Sequence, residues 1–189
     1  TVTPKRRKFF DGPTDAAATP MDKHYLTPLF APASIAVLAG RADNPESLTS
    51  YAQALHPALR AQRFAGSLQF VDTHTSGTLA DLAQRKSDLA IIALPPAEVP
   101  AALEVAGRIG CRAALVLSSG MDADQAANLK KIARREGLYL LGPNSLGFRR
   151  PHLQLNASAA GPLASDGPLA LVCQSGALTS SILDWASNN

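Results

Sequence analysis

The chain has 189 residues, of which 46% are hydrophobic and 17% charged, so a packed core is expected and a disordered chain is excluded. The net charge of +3 is unevenly placed: residues 1–25 hold five basic and three acidic side chains, the remainder thirteen and twelve. The body is therefore near neutral, which argues against a cationic nucleic-acid groove, and no apolar run nears the roughly 20 residues of a membrane span.

Residues 1–25 mix Pro, Thr, Ala, Gly and charge without periodicity and are expected to be a flexible N-terminal extension. The basic cluster Lys5-Arg6-Arg7-Lys8 is followed by Phe9-Phe10-Asp11-Gly12-Pro13 instead of an apolar stretch, so a signal peptide is not expected. Met21 is a candidate translation start. Cys111 and Cys173 lie far apart in apolar runs and read as reduced core or near-core thiols of a cytoplasmic protein.

From Ser34 the pattern becomes regular. Ser34 to Gly40 (SIAVLAG) is a short continuous apolar run ending in Gly, the mark of a buried parallel strand. Residues 47–63 carry Leu48, Tyr51, Ala52, Leu55 and Leu59 at helical spacing, and Pro57 predicts a kink or break near His56. SLQFVD (67–72) is a second strand, TLADLAQR (78–85) a short helix and DLAIIALP (88–95) a third strand. Residues 96–110 form a helix with Pro near its start and Gly110 at its end, and CRAALVLSSG (111–120) is a fourth strand. Residues 122–137 form a helix with acids in the first turn, bases in the last and Gly137 as C-cap, before a fifth strand at 138–143.

Strands alternating with helices predict an α/β fold: a Rossmann-like parallel sheet with helices on both faces. Right-handed crossovers place every strand's C-terminal end along one edge, where open α/β sheets bind ligands. The loops leaving that edge are Gly40–Ser47, Asp72–Gly77, Leu94–Pro96, Ser118–Met121 and Gly142–Gly147. After Gly147, residues 148–167 read as a long polar and small-residue connection, PLALVCQ (168–174) as a buried strand and residues 175–189 as the following helix. The expected organisation is an extension (1–25), a first α/β domain (26–149), and a linker with the first strand and helix of a second, incomplete flavodoxin-like domain (150–189).

Two segments carry chemistry. In LLGPNSLGF (140–148), Gly142, Asn144 and Gly147 supply backbone conformations that leave peptide N–H groups available to a ligand, a pattern that a tight interdomain turn would share. In LVCQSGALTSSILDW (171–185), the turn Gln174-Ser175-Gly176-Ala177 opens a helix. A Ser-Gly step there aims unpaired N–H groups and the positive dipole end at one point, which favours phosphate, and Ser175 is also a natural N-cap.

In this order and spacing, SIAVLAG, DLAIIALP, LVLSSG, LLGPNSLG, LNAS and LVCQSGALTSSILDWA resemble the NDP-forming acyl-CoA synthetase family. That family includes the α subunit of succinyl-CoA synthetase and bacterial protein lysine acetyltransferases in which the ligase-like module is fused to a GNAT domain; HYLTPLFAP is particularly similar to the fused proteins. The resemblance runs from about Tyr25 to the C-terminus. It implies a CoA-binding Rossmann-like first domain, a flavodoxin-like second domain and chemistry through a phosphohistidine. It also implies that the missing ligase domains, or a partner subunit, complete the enzyme.

Carried over by position, the cofactor-binding residues for coenzyme A or acyl-CoA are Gly40, Arg41, Pro45, Ser47, Asp72, His74, Leu94, Pro95, Leu117, Ser118, Ser119, Pro143 and Asn144, with Gln174, Ser175, Gly176 and Ala177 facing phosphate. No catalytic or metal residue is assigned: His24, His56, His74 and His152 match no phosphohistidine position and read as surface or structural groups. The first loop departs from the family pattern, with Ala39, Glu46 and Thr49 where glycines are usual. Glu46 places a carboxylate where phosphate is expected, an unfavourable ~1 kcal/mol or more, which Arg41 can offset. Asp72 and His74 stand where Asn and Lys are usual. Two other readings stay open: a degenerate CoA-binding module with a regulatory or interaction role, and an NAD(P)-binding oxidoreductase domain. The latter has Asp72 after the second strand in its favour and lacks a G-x-G-x-x-G after the first.

Overall fold

A computed structural model describes residues 24–40, 48–71 and 86–187. Their elements are α1 (Thr27–Phe30), β1 (Ser34–Leu38), α2 (Ser50–Arg60), β2 (Ser67–Phe70), β3 (Leu89–Ile92), α3 (Val99–Arg108), β4 (Ala113–Val116), α4 (Ala123–Arg135), β5 (Tyr139–Leu141), β6 (Gly147–Arg150), β7 (Leu155–Ser158) and α5 (Gly176–Ser187). The expected helix at 78–85 lies outside the described residues.

Five strands form one sheet in the order β2-β1-β3-β4-β5, every pairing parallel. The strands are short and apolar, and β3 and β4 are buried along their whole length, as strands covered on both faces must be. Side-chain alternation divides them into two cores. Ala36, Leu38, Ala90, Ile92, Ala114 and Val116 pack with Val99, Leu103 and Ala106 of α3 and Leu129 and Ile132 of α4. Ile35, Val37, Leu89, Ile91, Ala113 and Leu115 pack on the other side with Leu29 of α1 and Ala52, Leu55 and Leu59 of α2. This is the Rossmann-like α/β sheet with helices on both faces.

The helix ends follow their local chemistry. In α4, Asp122 accepts the Gln125 N–H at 2.8 Å while the Gln125 side chain accepts the Asp122 N–H at 2.9 Å, a reciprocal cap. Gly137, at φ +71°, ends that helix in the left-handed conformation. Pro57 does not break α2, which runs unbroken to Arg60. Leu55, His56 and Leu59 are buried on both sides of the proline, so packing holds the helix across the missing N–H.

Three expectations after Gly147 are corrected. The stretch read as a connection begins instead as an antiparallel hairpin, β6 on β7, with Phe148 opposite Ala157 and Arg150 opposite Leu155. Leu155 and Ala157 are fully buried in the core beside α2, and Asn156 and Ser158 are buried as well, so burial of the whole of β7 outweighs the polar composition around it. Residues 168–174 are not a strand, and Leu169 and Val172 are 95% and 98% exposed. A parallel strand needs a neighbour to bond its peptide groups and cover its side chains, and here it has none. For the same reason Cys173 is exposed, whereas Cys111 is buried; both are free thiols.

Candidate functional site

The C-terminal ends of the strands meet at one rim that hydrogen bonds stitch from strand to strand. At β1, Gly40 takes φ +70°, and a Cβ added there would lie 2.8 Å from Leu48 Cδ2. The adjoining residues Arg41, Pro45, Ser47 and Glu46, together with Asp72 and His74 after β2, lie outside the described residues.

Thr49 begins α2 and ties it to the rim. Its hydroxyl accepts the Ala52 N–H at 3.1 Å and donates to the Ala93 carbonyl at 2.9 Å. The threonine standing at a usual glycine position thus caps a helix and fastens that helix to the end of β3. Sequence reasoning placed Thr49 in the loop without seeing this bond; its residue type, an N-cap former ahead of an apolar-periodic run, was the available signal.

Ser118 is the next stitch. It is 3% exposed, its hydroxyl donates to the Leu94 carbonyl at 2.6 Å, and its own carbonyl accepts the Asn144 N–H at 2.9 Å. One residue therefore joins the ends of β3, β4 and β5. Leu94 and Leu117 are buried at 5% and 0% exposure, so only their backbone is available at the rim. Pro95, Ser119 and Pro143 are half-buried and Asn144 is exposed. Gly142 precedes a cis peptide bond to Pro143 and has φ +103°; a Cβ there would run into the Val116 carbonyl. Asn144 follows at φ +56°, a conformation that Asn tolerates better than most residues. The backbone freedom expected of Gly142 and Asn144 is therefore used.

The second chemical segment reaches the same region. Ser175 caps α5: its hydroxyl accepts the Leu178 N–H at 3.3 Å and its carbonyl accepts the Thr179 N–H at 3.0 Å. Gly176 sits against Leu146, 2.9 Å from an added Cβ to Leu146 Cδ1, so the start of α5 adjoins the loop after β5. Gln174, Ser175 and Ala177 are exposed and Gly176 half-buried.

His56 stands behind the rim. It is 6% exposed, stacks on Phe70 with ring centroids 5.1 Å apart, and neither ring nitrogen has a hydrogen-bond partner meeting normal geometry among the described residues. Burial lowers its pKa, with the Arg60 charge adding to the effect, while the backbone of Ala39 and Gly40 works in the opposite sense, as carbonyls facing the ring do. His24 and His152 are exposed. Among the described residues no group of His, Cys, Asp or Glu side chains could hold a metal ion, and no helix is long and apolar enough to cross a membrane.

The described rim carries small side chains and hydroxyls, with the start of α2 tied to the end of β3 through Thr49 and the start of α5 against the loop after β5; the first amides of a helix have no intrahelical partner and suit an anion. The parallel sheet with helices on both faces is Rossmann-like, and residues 67–151 match the family model described as a CoA binding domain. The chain is similar to ADP-forming acetate–CoA ligases. It is 35% identical over 103 residues to one from Methanocaldococcus jannaschii, covering 52% of this chain and 15% of the relative. It is also 35% identical over 105 residues to the α subunit of acetate–CoA ligase I from Pyrococcus furiosus, covering 52% of this chain and 22% of that one. A solved structure of the dinucleotide-forming acetyl-coenzyme A synthetase 1 of Ca. Korarchaeum cryptofilum superposes with a TM-score of 0.75 at 25% identity, over 86% of this chain and 37% of that one. The chain thus spans well under half the length of these relatives.

Proposed function

We propose that this chain is the coenzyme-A-binding module of an NDP-forming acyl-CoA synthetase-like protein, taking CoA or acyl-CoA along the rim and binding it without completing catalysis by itself. The observation that carries this reading is the rim stitched through Thr49, Ser118 and Asn144 with the start of α5 beside it, in a chain related to CoA ligases. Gly40, Pro95, Ser119, Pro143 and Asn144 would offer backbone and small side chains to the ligand. Leu94, Leu117 and Ser118 would shape the floor, and Gln174 to Ala177 would face a phosphoryl group. Arg41, Pro45, Ser47, Asp72 and His74 complete the proposed set from the loops at β1 and β2.

In this reading residues 150–189 lead into a second ligase domain, with the hairpin through Ser158 staying on the first domain by virtue of its buried face. Further ligase domains or a partner subunit supply the nucleotide chemistry, with a fused GNAT domain as the finer form of the proposal, and the setting is cytoplasmic. Calorimetry of the chain with CoA, acetyl-CoA and NADH tests it. CoA and acyl-CoA binding without NADH binding is expected. NADH binding alone would support an oxidoreductase domain instead, and no binding at all would support a regulatory module whose first loop has lost its glycines.

A further inference from the structure

We propose that Leu146 is a positioning residue that seats the start of α5 on the loop after β5, so that a ligand held at Pro143 and Asn144 is coupled to the placement of α5; the inference rests on the CoA reading above. That loop is pinned from both sides. Toward the sheet, the Asn144 N–H donates to the Ser118 carbonyl at 2.9 Å and the Ser145 N–H to the Val116 carbonyl at 3.4 Å. Toward the hairpin, the Leu146 carbonyl accepts two bonds, from the Ser158 hydroxyl at 2.7 Å and from the Ala159 N–H at 3.2 Å. The Gly147 N–H turns back to the Ser145 hydroxyl at 3.1 Å. Gly147 itself, at φ +88°, lies so close to the Ala157 carbonyl that a side chain has no room. The backbone from Asn144 to Gly147 is therefore a fixed bridge between β4 and β7.

The Leu146 side chain leaves that bridge toward α5. A Cβ added to Gly176 would lie 2.9 Å from Leu146 Cδ1, 3.1 Å from its Cγ and 3.8 Å from its Cδ2. The whole branched end of the leucine thus packs on the first residue of the helix, at a point where only glycine leaves the space. Gly176 also heads the less exposed face of α5. Gly176, Thr179 and Leu183 are half-buried and recur at helical spacing, and the other described residues of the helix are exposed. Leu146 stands where this face meets the loop, with Asn144 two positions before it on the same bridge.

The coupling follows from that placement. A ligand that touches Asn144 and the start of α5 together binds best when Leu146 already holds the two at a fixed separation. By reciprocity the bound ligand steadies α5 on its seat. Without the seat the ligand must order the helix as it binds, and affinity falls by the cost of that ordering. Couplings of this kind amount to about fivefold or more in affinity.

The test is CoA titration of the full chain, read by calorimetry and by the fluorescence anisotropy of Trp185, the single tryptophan of the chain, which lies on α5. In the natural protein CoA should restrict the nanosecond motion of Trp185. Leu146→Ala should bind CoA about fivefold more weakly with that response lost, while Leu146→Met, which keeps the volume, should retain both. Gly176→Ala reaches the same contact from the helix side, so it stays informative where Leu146→Ala loosens the loop itself. It should weaken binding too, and the double variant should lose no more than the worse single one, because residues in contact do not act additively. A Trp185 signal that ignores CoA, additive losses in the double variant, or CoA binding unchanged by Leu146→Ala overturns the role of Leu146 and leaves the CoA reading standing. Absence of CoA binding to the natural protein overturns the CoA reading, and the coupling with it.

Discussion

Replacing Ser118 with alanine isolates the joint that holds three strand ends together. The substitution removes only the hydroxyl. The Leu94 carbonyl loses the donor that reaches it at 2.6 Å in a site where Ser118 is 3% exposed, while the backbone bond from Asn144 to the Ser118 carbonyl is formally untouched. An acceptor stripped of its partner away from water costs about 1–3 kcal/mol, and in a chain of this size each kcal/mol lowers Tm by about 2–4 °C. Urea unfolding should show a lower midpoint with an unchanged slope, because the surface exposed on unfolding stays the same. CoA affinity should fall as well, since the β3 end is no longer pinned to the ends of β4 and β5. If Ser118→Ala were as stable as the natural protein and bound CoA equally well, the stitched rim would not be what organises the site.

Other outcomes follow from the same geometry. Leu155→Ala should cost about 3–5 kcal/mol by urea unfolding, because Leu155 is fully buried beside α2; a loss under about 1 kcal/mol, the range of surface changes, would mean that the hairpin only rests on the domain. Burial pushes the Cys111 thiol up to about 12, whereas Cys173 is exposed. Iodoacetamide at pH 8 should therefore label Cys173 first and Cys111 only on unfolding, and peptide mapping that found Cys111 labelled in the native protein would contradict its burial. Burial lowers the His56 pKa in the folded chain, so the ring protonates more readily when unfolded; its contribution to stability is present above the ordinary imidazole pKa and is lost as pH falls through the lowered one. The urea midpoint should drop more between pH 7 and pH 5 in the natural protein than in His56→Phe; equal drops would show that the ring gains its proton freely in the native state.

The sheet could be read from the chain because its strands are buried on both faces. Runs such as Leu89–Ile92 and Ala113–Val116 are apolar at every position, a pattern that only two-sided cover permits. The hairpin was hidden for the opposite reason. β7 is four residues, LNAS, with its core face reduced to Leu155 and Ala157, and so short an alternation between small and polar residues looks like a linker. Residues 168–174 misled in the other direction: composition specifies a buried strand only when a neighbour covers it, and Leu169 and Val172 stand exposed. At the rim, residue type announced the conformations of Gly142 and Asn144 and the cap at Ser175. The bonds from Thr49 to Ala93 and from Ser118 to Leu94 join residues 44 and 24 positions apart, and no local pattern could reveal them. Pro57 followed the same logic, since the packing of Leu55 and Leu59 outweighed its usual effect on a helix.

Mapping backbone amides by heteronuclear NMR, with CoA added and then NADH in its place, tests the binding rim most directly. CoA should shift the amides of Gly40, Ser118, Ser119 and Asn144 together with those opening α2 and α5, and NADH should leave them in place. Shifts confined to the opposite, N-terminal edge of the sheet, or the same rim responding to NADH and not to CoA, would contradict the assignment.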